Sequence, residues 1–171
     1  QKKNVIDDHP EVAAKLRRHL DDWWASVGDI ANEPQRVIIG SDAENPMTLT
    51  ACEWLDVFID QQGQIRRGDQ KNGYWELEVA QAGRYRFELR RWPREASLPL
   101  GAGYNGEGAL PIKQARLFIN REMTTMPVNP SDKAATFTVT LPKGPTRLHT
   151  WFAEGRANPI CGAYYVYVKR L

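Results

Sequence analysis

The chain has 171 residues, a length that suits one domain of ordinary size, and its formal net charge at pH 7 is +2. So small a charge gives no reason to expect a nucleic-acid partner, and no apolar run approaches the ~20 residues of a membrane-spanning helix. Cys52 and Cys161 lie far apart and supply no disulfide framework, so two buried free thiols are expected, with a Cys52–Cys161 disulfide as the alternative.

The first element is a helix. Val12, Leu16, Leu20, Trp23 and Val27 recur at helical spacing and form one apolar stripe. Pro10 suits the first helical turn, Asp8 with Glu11 has the shape of a capping box, and Gln1-Lys2-Lys3-Asn4-Val5 reads as a lead-in loop. An isolated helix of this length is marginal in water, so the stripe must lie against something.

From about residue 36 the pattern changes to strands, expected over 36–41, 47–55, 74–80, 84–92, 115–119, 136–141, 146–153 and 163–169. Turn signals separate them, among them Asn72-Gly73 and Pro142-Lys143-Gly144-Pro145. Trp75, Leu77 and Val79 alternate with Glu76 and Glu78, while Tyr85, Phe87 and Leu89 alternate with Arg84, Arg86, Glu88 and Arg90. Half-buried antiparallel sheets show this alternation, and two of them face to face make a sandwich. The fold class is therefore mainly β: an antiparallel sandwich, jelly-roll and galactose-binding-like, preceded by one N-terminal α-helix. An immunoglobulin-like sandwich is the alternative, although its Cys…Trp…Cys framework is not evident.

Gln81-Ala82-Gly83 fits a three-residue hairpin loop with Gly83 left-handed in a G1 bulge. The pairs would be Val79 with Tyr85, Leu77 with Phe87 and Trp75 with Leu89. Glu78 would then face Arg86, a contact worth a few tenths to ~1 kcal/mol. Glu76 would face Glu88, relieved by diagonal arginines. The basic run Arg84, Arg86, Arg90, Arg91, Arg94 reads as a solvated face balanced by Glu76, Glu78 and Glu88, with contact to an acidic glycan left open.

Asn4-Val5, a short acidic spacer, His9-Pro10-Glu11-Val12 and a helix ending near Trp23-Trp24 resemble the C-terminal end of the type I sulfatase (arylsulfatase) family. Val37-Ile38-Ile39-Gly40-Ser41-Asp42, Arg90-Arg91-Trp92-Pro93-Arg94-Glu95 and Gly162-Ala163-Tyr164-Tyr165-Val166-Tyr167-Val168 are similar to the β-sandwich that follows in some bacterial members. The resemblance spans nearly the whole chain. It implies that residues 1–34 are the helical tail of an upstream sulfatase catalytic domain and 35–171 a C-terminal accessory sandwich. The parent enzyme would use formylglycine and a divalent metal (Ca or Mg), and a periplasmic or extracellular location follows from the family. The family's Cys/Ser-x-Pro-x-Arg motif is missing: Glu53-Trp54-Leu55 follows Cys52, and Gly162-Ala163-Tyr164 follows Cys161. No catalytic or metal residue can be carried over, so this chain is expected to be non-catalytic and to hold no cofactor.

The longest strand-poor stretch, 93–113, contains Gly101, Gly103, Gly106 and Gly108 around Tyr104 and Asn105. Aromatic rings stack on sugar faces, and arginines pair with sulfate or carboxylate. Trp92, Arg94, Tyr104 and Asn105 are accordingly the candidate glycan contacts. The alternatives are that Trp92 packs at a sheet edge and the glycines merely mark a flexible loop, or that the loop docks on the catalytic domain and borders its substrate entrance. Alternation turns Leu148 and Phe152 inward and His149 and Trp151 outward. Trp151 is then either a sugar platform or the surface on which the helix stripe rests, and Val12, Leu16, Leu20, Trp23 and Trp151 make up the candidate domain-docking set. His9, His19 and His149 do not cluster, and Asp42-Ala43-Glu44-Asn45 reads as a solvated turn with Ca²⁺ as a weak alternative. Serines are few, and none sits in a Gly-x-Ser-x-Gly elbow. Three readings remain, one of them a structural interaction domain with no ligand, and two carry a specific function. One is an accessory domain that stabilises or borders an arylsulfatase-type catalytic domain. The other is a carbohydrate-binding module for a sulfated or acidic polysaccharide. No nucleic-acid or membrane partner is expected.

Overall fold

The computed structural model describes residues 4–59, 61–156 and 158–171. The start of the expected lead-in loop, residues 1–3, lies outside them. The chain divides into two compact units, Gln1–Gln35 and Arg36–Leu171.

The first unit holds α1 (Pro10–Ala31), which runs past the expected end of the stripe at Val27. Pro10 occupies the first turn, where its missing N–H costs nothing. It also fixes His9 as the N-cap, with no side-chain capping bond. The expected Asp8–Glu11 capping box therefore does not form, because Asp8 falls one position too early. No residue of α1 is buried. Val12, Leu16, Leu20 and Trp23 are 47%, 63%, 53% and 51% exposed.

The second unit is a β-sandwich. Its strands are β1 (Val37–Ile39), β2 (Met47–Thr50), β3 (Tyr74–Val79), β4 (Gly83–Arg90), β5 (Gln114–Ile119), β6 (Glu122–Pro127), β7 (Ala135–Leu141), β8 (Gly144–Ala153), β9 (Pro159–Cys161) and β10 (Tyr165–Arg170). A short helix, α2 (Gln62–Arg67), lies between β2 and β3. The larger sheet is ordered β1-β3-β8-β5-β6 with β9 paired to β8, and the smaller β2-β10-β4-β7. The β1–β3 pair is parallel and the others antiparallel. One core joins the sheets, with Trp75, Leu77, Leu148 and Phe152 from the larger and Tyr85, Phe87, Leu89 and Val166 from the smaller, all fully buried. Burying a side chain of this size stabilises the fold by about 1.5–3 kcal/mol.

The β3–β4 hairpin does not exist. Trp75 pairs with Leu148 and Leu77 with Thr146 on β8, whereas Phe87 lies between Phe137 on β7 and Val168 on β10. The two strands belong to opposite sheets, and Gln81-Ala82 crosses between them. Gly83 simply begins β4 and makes no bulge. Facing strands of a sandwich bury the same alternate residues as paired strands of a hairpin, so alternation alone cannot distinguish them.

Other departures are local. The strand expected over 47–55 stops at Thr50, whose N–H donates to Glu53 Oε2 at 2.9 Å, opening a 3-10 turn over Ala51–Glu53. Strand β6 escapes notice because it is largely exposed on both faces and shows no alternation. The turn before it, Asn120-Arg121, has φ of 50° and 63° without a glycine. Cys52 and Cys161 are free thiols, Cys161 buried but Cys52 exposed, contrary to the expectation that both are buried. Burial raises the Cys161 thiol to about 11.

Candidate functional site

Helix α2 and the loop after β4 enclose a cleft of about 320 Å³, counting its open mouth, lined by Gln62, Ile65, Arg66, Trp92, Pro93, Ala96, Tyr104 and Tyr165. A second cleft of about 480 Å³ shares Gln62, Ile65 and Tyr165 with it and adds Thr50, Cys52 and Gln61. Together they form a groove over the start of β10. Its floor is aromatic and aliphatic, while the exposed heads of Gln61, Gln62, Arg66 and Tyr104 rim it. The Arg66 guanidinium lies 4.4 Å from the Tyr104 ring centroid, and that ring is 6.2 Å from Trp92.

A buried cation holds both walls. Arg91 is fully buried and stacks 4.6 Å from the Trp92 ring. Its Nη1 donates to Ala102 O at 2.9 Å, and its Nη2 to Ile65 O at 3.1 Å and to Gly108 O. It thus ties the last turn of α2 to the glycine-rich loop, placing a cation at the negative end of the helix. Burial pushes the Arg91 guanidinium down, opposed by Cys161 and Tyr164 rather than by a carboxylate. The loop packs close: a Cβ on Gly108, where φ is +68°, would overlap the Arg66 carbonyl oxygen. The Asn105-Gly106 turn, with φ of 53° and 87°, lifts Tyr104, whose N–H and C=O both bond Glu107. The loop is held at Ala102 and Gly108 by Arg91 and at Ala102 by Trp92.

The expected contacts are only partly brought together. Trp92 is 3% exposed and its Nε1 already donates to Ala102 O at 3.1 Å, so it is a floor residue, not an open stacking platform. Tyr104 is exposed in the groove, and Asn105 sits at the tip of its turn. Arg94 is absent from the groove lining. Its guanidinium covers the Tyr167 ring at 4.0 Å and bonds Glu88 on the outer face of the smaller sheet. Arg66, Gln62 and Tyr165 escape the sequence reading as site residues because nothing local marks α2 as a wall, and Arg91, expected on a solvated face, is instead fully buried.

Val12, Leu16, Leu20 and Trp23 belong to the first unit and Trp151 to the second. Leu148 and Phe152 are buried as expected, and the half-buried Trp151 ring lies 4.0 Å from His149. Burial pushes the His149 imidazole down, against the pull of Asp56, and its Nε2 meets Asn72 Oδ1 at 2.8 Å. Asp42 is tied to Arg170 and Gln81 in its turn.

The residues present do not fit a formylglycine–metal centre. Ser97-Leu98-Pro99-Leu100 has Gly101 where the motif needs Arg. Among the described residues no group of three or more His, Cys, Asp or Glu side chains gathers as a metal site. Among them, too, no helix is long and apolar enough to cross a membrane.

No protein-family model and no curated protein matches the sequence. Among solved structures, the chain resembles a family 35 carbohydrate-binding module from an environmental isolate at 14% identity and a TM-score of 0.38, over 57% of this chain and 64% of that one. A family 35 module from Cellvibrio japonicus Abf62 is 15% identical with a TM-score of 0.45, over 71% of this chain and 92% of that one. A ruminal GH26 endo-β-1,4-mannanase is 15% identical with a TM-score of 0.42, over 77% of this chain but 27% of the enzyme. Likeness at this level carries no inference about a ligand.

Proposed function

We propose that the sandwich is a non-catalytic carbohydrate-binding domain and that the groove between α2 and the 93–113 loop is its glycan site. The observation that carries this reading is the pair of contiguous clefts sharing Gln62, Ile65 and Tyr165. Two adjoining clefts that open to solvent suit successive residues of a chain better than one compact cofactor. Its apolar floor accepts the C–H faces of sugar rings, and its amide, guanidinium and phenol rim can exchange hydrogen bonds with their hydroxyls. A glycan ligand also accords with a periplasmic or extracellular location. Isothermal titration or affinity electrophoresis against a panel of neutral and acidic polysaccharides tests it. Tyr104→Ala and Gln62→Ala are each expected to weaken binding about tenfold, the effect of losing one or two good contacts. Unchanged affinity in both variants would move the site elsewhere.

A second reading, compatible with the first, is that the whole chain is the C-terminal accessory part of an arylsulfatase-type enzyme whose catalytic domain supplies the formylglycine and metal. Its support is the apolar stripe of α1, roughly half exposed along Val12, Leu16, Leu20 and Trp23. On this reading the stripe serves a neighbouring domain, and the sandwich folds and binds without it.

A further inference from the structure

The sandwich topology separates charges that lie close together in the sequence. Glu76 and Glu78 lie on β3 of the larger sheet, where Glu76 meets Arg147 at 2.5 Å. The arginines of β4 lie on the outer face of the smaller sheet. There Lys169 of β10 stands directly opposite Arg86, and Arg86 opposite Thr138 of β7. Arg84 lies two residues along β4, opposite Thr140. Arg84, Arg86 and Lys169 are all exposed, and no ion pair to any of them is found among the described residues. Glu88, the carboxylate on the strands of this face, is committed: Arg94 and then Arg90 hold it below its usual range against burial. Glu95 borders the face near Arg94 and Tyr165. Like charges directly opposite on adjacent strands, about 4.8 Å apart, are destabilising. The Lys169–Arg86 pair therefore costs stability that a bound anion would return.

We infer that the outer face of the β2-β10-β4-β7 sheet binds an acidic polysaccharide, one carrying sulfate or carboxylate groups, and delivers it to the groove along β10. This rests on the groove being a glycan site. Tyr165, Tyr167 and Lys169 share one face of β10, and Tyr165 also lines the groove; between the groove and the cations, Arg94 covers Tyr167 and pairs with Glu88. Threonines of β7 flank the cations with exposed hydroxyls, suited to sugar hydroxyls as well as to anionic groups. None of the exposed large hydrophobic side chains lies on these strands, which favours a hydrophilic chain over a lipid surface or an apolar protein partner.

The test uses the chain of residues 1–171 in affinity electrophoresis with chondroitin sulfate, polygalacturonate, a neutral mannan and duplex DNA, at about 50 and about 500 mM salt. The wild type should bind at least one acidic polymer more tightly than the mannan and lose about tenfold in affinity at the higher salt. Arg84→Ser/Arg86→Ser/Lys169→Ser should abolish that preference while leaving mannan binding intact and the thermal midpoint no lower, since the Lys169–Arg86 repulsion is gone. Arg84→Lys/Arg86→Lys should keep it. The inference falls if the serine variant retains the acidic preference, if no acidic polymer is preferred, or if DNA is retarded as strongly as the polysaccharides. A failed groove reading looks different: binding to every polymer would be absent, or indifferent to Tyr104→Ala and Gln62→Ala.

Discussion

Arg91 carries the local architecture of the groove. Its fork satisfies carbonyls of α2 and of the glycine-rich loop at once, deep enough to exclude water. Removing the donors leaves Gly108 O unpaired, at about 1–3 kcal/mol for a buried acceptor, and costs Ala102 O and Ile65 O a charged donor although Trp92 Nε1 and the Gly68 N–H still reach them. Arg91→Met should therefore lower stability by about 2–4 kcal/mol in urea denaturation, with the slope unchanged. Arg91→Lys should recover little, because one ammonium cannot reproduce the planar fork. A loss below about 0.5 kcal/mol would mean that solvent replaces the guanidinium and that the walls are not locked. Little of this was legible beforehand. Arg90-Arg91-Trp92-Pro93-Arg94 shows several arginines with nothing to mark the buried one. The ring of Trp92 suggests a ligand contact, yet its burial is set by how the loop folds over it. Tyr104 was legible because Asn105-Gly106 beside it supplies a tight turn that keeps the ring near the surface.

Strands were easier to locate than to pair. The alternation in β3, β4, β7 and β8 places each near its observed bounds, since every second residue enters one core. Partners are another matter, because facing strands and neighbouring strands bury the same positions. The charges now separate the two arrangements. In a double-mutant cycle, Glu78→Gln and Arg86→Gln should be additive within about 0.3–0.5 kcal/mol, as for sites without a shared partner. Glu76→Gln and Arg147→Gln should couple by about 0.5–1 kcal/mol, since that pair is direct and its carboxylate only 14% exposed. A coupling near 1 kcal/mol between Glu78 and Arg86 would restore the hairpin and refute the separation of charge on which the cationic face depends. Strand β6 and helix α2 illustrate the opposite limit. One is an edge with both faces wet and the other a helix of 6 residues, so neither buries a face periodic enough to read.

At the scale of the molecule, a net charge of +2 conceals an uneven distribution, and a single chain conceals two units. The helical start and the change to strands near residue 36 are legible because the period of apolar residues switches from helical to alternating. What the helix is for is not written in that period. Within the second unit one continuous core draws on both sheets, and a domain of its size buries roughly two-thirds of its unfolded surface without outside help. Helix α1 buries no residue, and alone in water a helix of 22 residues is marginal. If its stripe serves a neighbouring catalytic domain, residues 36–171 produced alone should unfold in one transition within about 1 kcal/mol of the stability of residues 1–171 and bind the same polysaccharide equally well. A loss of about 2 kcal/mol or more, or failure to fold, would mean that the sandwich depends on the helix. The stripe would then be part of this domain's own packing, and the sulfatase reading would lose the observation that supports it.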